Sequence, residues 1–204
     1  MLSQADRTKD VDALTYWKAY IKKEFDKPGD VYLGLVHRLD RPASGLMIFA
    51  RTSKAADRLS RLFREREVKK EYLAIIEKEV TGGQTLIDHL IKENERVRIA
   101  EASEKDARFA ELSFTPLKSW GGLTLLSVQL KTGRPHQIRV QLASRGMHIM
   151  GDFRYGASRE LDGKNLALHS YRLRLTHPVR KMEMNWTCPV PESWPGELSP
   201  QDEK

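Results

Sequence analysis

The chain has 204 residues, 40% hydrophobic and 31% charged, with 35 Lys and Arg against 28 Asp and Glu for a net charge of +7. That length suits one good-sized domain with an adequate core; the apolar runs are far too short to span a bilayer, and the single Cys188 excludes an internal disulfide and a multi-cysteine zinc site. The opening "MLSQADRTKD" turns polar at once, unlike a secretory signal, so a cytoplasmic setting is expected, and the basic balance favours a polyanionic partner, nucleic acid first.

Val11, Leu14, Trp17, Ile21 and Phe25 recur at helical spacing, so residues 11–25 read as an amphipathic helix that "KPGD" ends. "VYLGLV" (31–36) reads as a buried strand, "HRLDRPAS" as a loop, and "GLMIFA" (45–50) as a second strand. Ser53 is placed to cap a helix over about 54–66, which carries Arg58, Arg61, Arg64 and Arg66. "KEYLAIIEKEV" (70–80) is strand-like, and the charged stretch 92–107 reads as an exposed loop or irregular hairpin. "RFAELSFTPLKSW" and "LTLLSVQLKTG" alternate like paired strands around Gly121–Gly122. In "RPHQIRVQLASRG", Pro135 suits a first helical turn and Gly146 a C-terminal cap. "LALHSYRLRLTHP" (166–178) and "EMNWTCPV" complete the strands, and a proline-rich tail from Pro189 reads as an irregular extension. Hairpin signals outnumber strand–helix alternation, which points to an α+β domain around a largely antiparallel sheet, with a cleft at a sheet end.

Asp40 stands out, one carboxylate among His37, Arg38 and Arg41 in a loop between strands. A carboxylate close to a core needs partners, and Arg134 or Arg139 could supply one from a distance. An Arg held against a carboxylate keeps it ionised and aims its oxygens, which suits a nucleophile or an electrostatic catalyst as well as a purely structural ion pair. The six histidines show no metal-ligand spacing, which argues against a metal site, and the glycine pairs lack a phosphate-loop lysine and read as turns. Tyr72 reads either as a core tyrosine with its hydroxyl at the rim or as a stacking platform beside Asp40.

Four blocks in order carry a resemblance. "HRLDRPASGLMIFA", "KKEYLAII", "LKTGRPHQIRVQLASRGMHIMGDFRYG" and "LALHSYRLRLTHP" resemble the signatures of the bacterial RluA-type pseudouridine synthases over about residues 31–178. The resemblance implies the pseudouridine synthase fold: α+β, with a mixed, mainly antiparallel sheet, flanking helices and a central catalytic cleft. It divides the chain into an N-terminal helical segment (1–30), truncated relative to the family pattern, a catalytic domain (31–188) and the C-terminal tail (189–204). It implies isomerisation of uridine to pseudouridine in rRNA or tRNA, with RNA rather than DNA as partner, no membrane and no cofactor. By the same resemblance Asp40 is the essential aspartate, Arg139 its partner, and Tyr72 the aromatic residue that stacks on uracil and assists its deprotonation. Arg38 fills the place of the extruded nucleotide, and Arg134 and His136 belong to the substrate-binding set. These roles agree with the chemistry, since reaction at a base requires taking it out of its stack and a long arginine can fill the gap.

The chain departs from the pattern at Ala43, Pro135 and Gln141, where threonine, threonine and histidine are usual, and the family's first strand and "KPxG" motif are missing. The Ala43 change removes a hydroxyl that would brace the loop. These departures keep open a non-catalytic RNA-binding module on the same fold; a hydrolase using Asp40 and His37 is a remote third reading. No feature of the sequence speaks to oligomeric state.

Overall fold

The computed structural model describes residues 12–198. Its frame is a sheet in the order β10-β9-β4-β8-β7-β5-β6, antiparallel throughout that path, with the two-residue β2 (Ser44–Gly45) added in parallel to β9. The elements are β4 (Lys69–Ile76), β5 (Gln84–Glu93), β6 (Arg96–Ala100), β7 (Arg108–Trp120), β8 (Leu123–Leu130), β9 (Leu168–Thr176) and β10 (Glu183–Thr187). β1 (Gly34–Leu35) and β3 (Phe49–Ala50) form a separate two-stranded ladder. The mixed, mainly antiparallel α+β architecture expected from the sequence is the one observed.

β4 is the spine of the core. From Tyr72 to Ile76 five successive residues are buried, as expected of a strand covered on both faces. They pack with Leu112, Leu125, Leu126, Ile138, Leu142 and Leu168. β7 and β8 form a hairpin in which Gly121 (φ 60°) and Gly122 (φ 78°) both take left-handed backbone, the tight-turn geometry that glycine adopts without steric cost. Helix α3 (Gln137–Ala143) lies buried against this sheet. It closes as predicted at Gly146 (φ 67°), whose N–H meets Ala143 O at 2.9 Å while Met147 N–H meets Leu142 O at 3.1 Å.

Several elements differ from expectation. Helix α1 (Ala13–Glu24) is capped by Asp12 and falls within the predicted span, but Trp17 and Phe25 of its apolar side lie exposed, and Val11 is outside the described residues. Helix α2 (Ser53–Arg64) is capped by the Thr52 hydroxyl, which accepts Ala55 N–H at 3.1 Å; Ser53 already lies in the helix. The buried strands expected over 31–36 and 45–50 shrink to β1, β2 and β3, because the backbone leaves extended pairing to wrap Asp40. Of the loop or irregular hairpin expected over 92–107, residues 92–100 take the hairpin form, as the closing part of β5 and all of β6, and the pairing is regular despite their charge. Pro135 precedes α3 rather than opening it, and His136 is the cap residue. The tail does not hang free: Trp194 and Leu198 are buried in the main core, and Gly196–Leu198 forms a short 3-10 turn.

Candidate active site

The loop between β1 and β2 carries Asp40 and is tied down at four points. Ala43 N–H reaches Asp40 O at 3.0 Å, and Leu46 N–H reaches Ser170 O at 2.9 Å. Ser44 Oγ meets His169 Nδ1 at 2.8 Å, while His169 Nε2 faces Cys188 O at 3.0 Å. A carbonyl can only accept, so Nε2 carries the proton and Nδ1 accepts from the Ser44 hydroxyl. Ile48 N–H donates to His37 Nε2 at 2.8 Å, and the His37 ring stacks on Phe63 with centroids 4.5 Å apart. Burial, reinforced by the nearby Lys70 charge, lowers the pKa of His37 to about 4, so at neutral pH it is a neutral acceptor that pins the loop. The brace that Ala43 cannot supply by side chain is provided by these contacts.

Gly45 explains how the loop comes so close to β9. Its φ is +110°, and a Cβ there would stand 2.4 Å from Ser170 O and 2.5 Å from Ser170 N. Only glycine fits the β2–β9 contact that brings the loop over the sheet.

Arg139, on α3, reaches into the same place. Its Nε donates to Asp152 Oδ2 at 2.7 Å and its Nη2 to Asp152 Oδ1 at 2.8 Å, a matched fork; Nη1 reaches Asp40 Oδ2 at 3.3 Å. Side-chain exposure is 5% for Arg139, 2% for Asp152 and 25% for Asp40. Burial weakens the guanidinium's hold on its proton, but Asp152 first and Asp40 second outweigh it and raise the Arg139 pKa. The tight half of the arrangement is therefore Arg139 with Asp152. Among the described residues Asp40 is held at one oxygen, by this longer Arg139 bond and by His136 at 4.0 Å, at the water-facing side, which leaves the other oxygen for chemistry.

A second chain of contacts closes around this pair. The Arg139 guanidinium carbon sits 4.9 Å from the Tyr155 ring centroid. Tyr155 Oη accepts Val97 N–H at 3.0 Å and meets His136 Nδ1 at 2.8 Å, and His136 Nε2 lies 4.0 Å from Asp40 Oδ2. His136 holds a left-handed backbone (φ 50°), a conformation that costs a non-glycine residue about 1 kcal/mol or more. Burial lowers its pKa; Asp40 opposes the shift and Arg139 and Arg154 reinforce it.

Asp40, Tyr72, Arg139, Arg38, Arg134 and His136 all line one cleft of about 1780 Å³. Asp40, Arg139 and His136 meet directly. Arg134 Nε donates to Phe109 O at 2.9 Å, which fixes it to β7 at the cleft wall. Tyr72 is buried, and that burial, with the Asp40 charge acting in the same direction and Ser170 against, pushes its hydroxyl up to about 12. Arg38 is exposed at the cleft. Fourteen Lys and Arg line this cleft against four carboxylates. Among the described residues no group of His, Cys, Asp and Glu is arranged to hold a metal ion.

The family model for RNA pseudouridylate synthase matches residues 3–144. The chain belongs to this family. It is 33% identical over 174 residues to "Ribosomal large subunit pseudouridine synthase D" of Escherichia coli (strain K12), covering 78% of this chain and 52% of that protein. The synthase D of Haemophilus influenzae is 32% identical over 174 residues, 79% of this chain and 53% of that protein. An "Uncharacterized RNA pseudouridine synthase" of Chloroflexus aurantiacus is 38% identical over 164 residues, 80% and 52% of the two chains. The chain thus spans about half the length of the curated relatives it matches. Two solved structures share its fold. Human RNA Pseudouridylate Synthase Domain Containing 4 matches at TM-score 0.77 and 22% identity, over 94% of this chain and 82% of that one. Domain Containing 1 matches at 0.71 and 24%, over 89% and 77%.

Within the pseudouridylate synthase frame, two site residues escaped the sequence reading. Asp152 and Tyr155 both lie in "GDFRYG", a segment that marks the resemblance while its acid and its tyrosine carry no role of their own there. The signal that could have found Asp152 was the need for a second buried acid: α3 buries Arg139 with only a partly exposed Asp40 in view. Gln141, the other departure beside Arg139, is fully buried and donates to Asp88 Oδ2 at 2.7 Å, away from Asp40. That substitution leaves the Asp40–Arg139 contact in place.

Proposed function

We propose that this chain is an RNA uridine isomerase, an intramolecular transferase that converts uridine to pseudouridine in ribosomal RNA. The observation that carries the reading is Asp40 held at one oxygen by Arg139, whose charge is otherwise committed to Asp152, in a cleft that also holds Tyr72. In the reaction the N1–C1′ bond breaks, the ring turns, and a C5–C1′ bond forms. C5 loses a proton and N1 gains one, so no oxidant, reductant or external group is needed. Asp40 acts on the anomeric carbon or the uracil ring through its unengaged oxygen. The Tyr72 ring supports the base, and its hydroxyl, with its pKa near 12, remains a proton-bearing group at neutral pH. Arg38, exposed at the cleft, takes the space that the extruded nucleotide leaves. The relatives from Haemophilus influenzae and Escherichia coli, both named as synthases of the large ribosomal subunit, support large-subunit ribosomal RNA over tRNA as substrate.

A tritium-release assay on 5-³H-uridine large-subunit rRNA and tRNA tests this. Release from rRNA by the wild-type chain, abolished in Asp40→Asn, is the expected result. Turnover that survives in Asp40→Asn would remove Asp40 from the chemistry, and release from tRNA alone would replace the substrate class.

A further inference from the structure

Lys70 stands two residues before Tyr72 on β4, so strand alternation puts both on one face, and both line the cleft. Its ammonium lies against Gly133, where an added Cβ would come within 3.0 Å of Nζ. On the other side it is close enough to His37 for its charge to depress that imidazole's pKa. The cation therefore sits between the two loops that deliver Asp40 and Arg139. It is half-buried, and burial lowers its own pKa.

No acid answers it. The four carboxylates of the cleft are taken up by arginines: Asp40 and Asp152 by Arg139, Glu71 by Arg172 at 3.5 Å, and Glu95 by Arg154 at 3.6 Å. Among the described residues the Lys70 ammonium has no hydrogen-bond or ion-pair partner, its backbone alone being bonded in the β4 ladder. A partly desolvated ammonium without a counter-charge is a cost that the resting fold does not recover, and an entering anion can. The surplus of cations along the walls selects a polyanion over a single carboxylate. An ammonium, as a point charge with rotatable donors, suits a phosphodiester that arrives as the base moves.

We propose that Lys70 is a phosphate-binding residue of the cleft, which receives the phosphodiester flanking the extruded uridine while the base rests on Tyr72. The assignment rests on the RNA reading above and adds to it a defined contact.

The test is binding of a short fluorescent, uridine-containing single-stranded RNA over a series of KCl concentrations. Lys70→Met is expected to weaken binding about tenfold near 0.1 M salt, as for loss of one charge-assisted contact. It should also reduce the slope of log affinity against log salt by roughly 0.7, one phosphate's worth of released counterion. Lys70→Arg should retain the slope, and Lys70→Gln serves as the neutral variant if the Met form does not fold. KM for the same RNA should rise with kcat within about threefold, since a phosphate contact acts equally in ground and transition states. A folded neutral variant that binds RNA with the wild-type slope overturns the Lys70 assignment and leaves the RNA reading standing. Failure of the wild-type chain to bind RNA overturns both.

Discussion

At the scale of single residues, the unequal division of Arg139 decides how the site works. The guanidinium gives two short bonds to the buried Asp152 and one longer bond to Asp40. Asp152→Asn keeps the shape and removes the charge that holds Arg139 in place. The buried guanidinium then turns to Asp40, engages both its oxygens, and leaves the proposed nucleophile tied up. A stability loss of about 3–5 kcal/mol is expected for breaking this buried pair, read from urea midpoints. A fall in kcat beyond tenfold with little change in KM is expected alongside, because the site still binds RNA. Wild-type stability and turnover in this variant would return Asp152 to the status of a bystander. Tyr72→Phe separates the ring from the hydroxyl: RNA binding should persist and turnover fall, because the ring is kept and the proton-bearing group is lost. Unimpaired turnover would confine Tyr72 to stacking.

At the scale of elements, the Asp40 loop is held by parts that no local pattern reveals. Alternation and turn residues locate β7, β8 and their Gly121–Gly122 turn, because those signals are contained within a few residues. The strands flanking Asp40 are shorter than their local pattern predicts for the same reason: Leu33–Val36 and Leu46–Ala50 are apolar, but Ile48 N–H goes to His37 and Leu46 N–H to Ser170 in place of a long ladder. The β5–β6 hairpin is legible only as a loop or irregular hairpin because its charges, including Arg98 against Glu93 and Glu104, lie on the water side and hide the alternation of Leu90 and Val97 beneath. Gly45→Ala tests the loop's seat. The added methyl meets the Ser170 backbone, which cannot step aside as a flexible side chain would, so the loop must lift and Asp40 with it. Lower thermal stability and loss of turnover are expected together. His37 makes the same element sensitive to acid. Its pKa is about 4 in the fold against 6.5 for the free side chain, so the unfolded chain takes up the proton first as pH falls. The brace is at full strength above pH 6.5 and is lost between there and pH 4, a contribution of roughly 2–3 kcal/mol. Urea midpoints across that range should fall more steeply for the wild type than for His37→Gln, whose amide oxygen can accept the Ile48 bond without titrating. Parallel pH profiles would count against the brace.

At the scale of the whole molecule, family membership was legible because the sequence blocks keep their order, and one cleft gathers the candidate residues those blocks carry. Asp40 and Arg139, 99 residues apart in the chain, meet because β4 and β9 form the floor between their loops. Distances were not legible: no spacing rule separates the tight partner Asp152 from the looser Asp40. The tail shows the same limit, since its prolines argue for irregular backbone and say nothing about where two apolar side chains land. Trp194 is 4% exposed and Leu198 fully buried, so this end of the described chain completes the core instead of trailing from it. Trp194 also meets the ring of His169 edge-on at 6.1 Å, and His169 accepts from Ser44 beneath the Asp40 loop. Trp194→Ala should therefore do two things. Loss of a buried indole should cost about 3–5 kcal/mol, visible in the urea midpoint. The freed space beside His169 should also loosen the Ser44 bond, so turnover at a temperature where the variant remains folded should fall while Leu198→Val, a smaller change in the same tail, leaves it near wild type. Equal turnover in folded Trp194→Ala would mean that the tail supports the core without reaching the Asp40 loop.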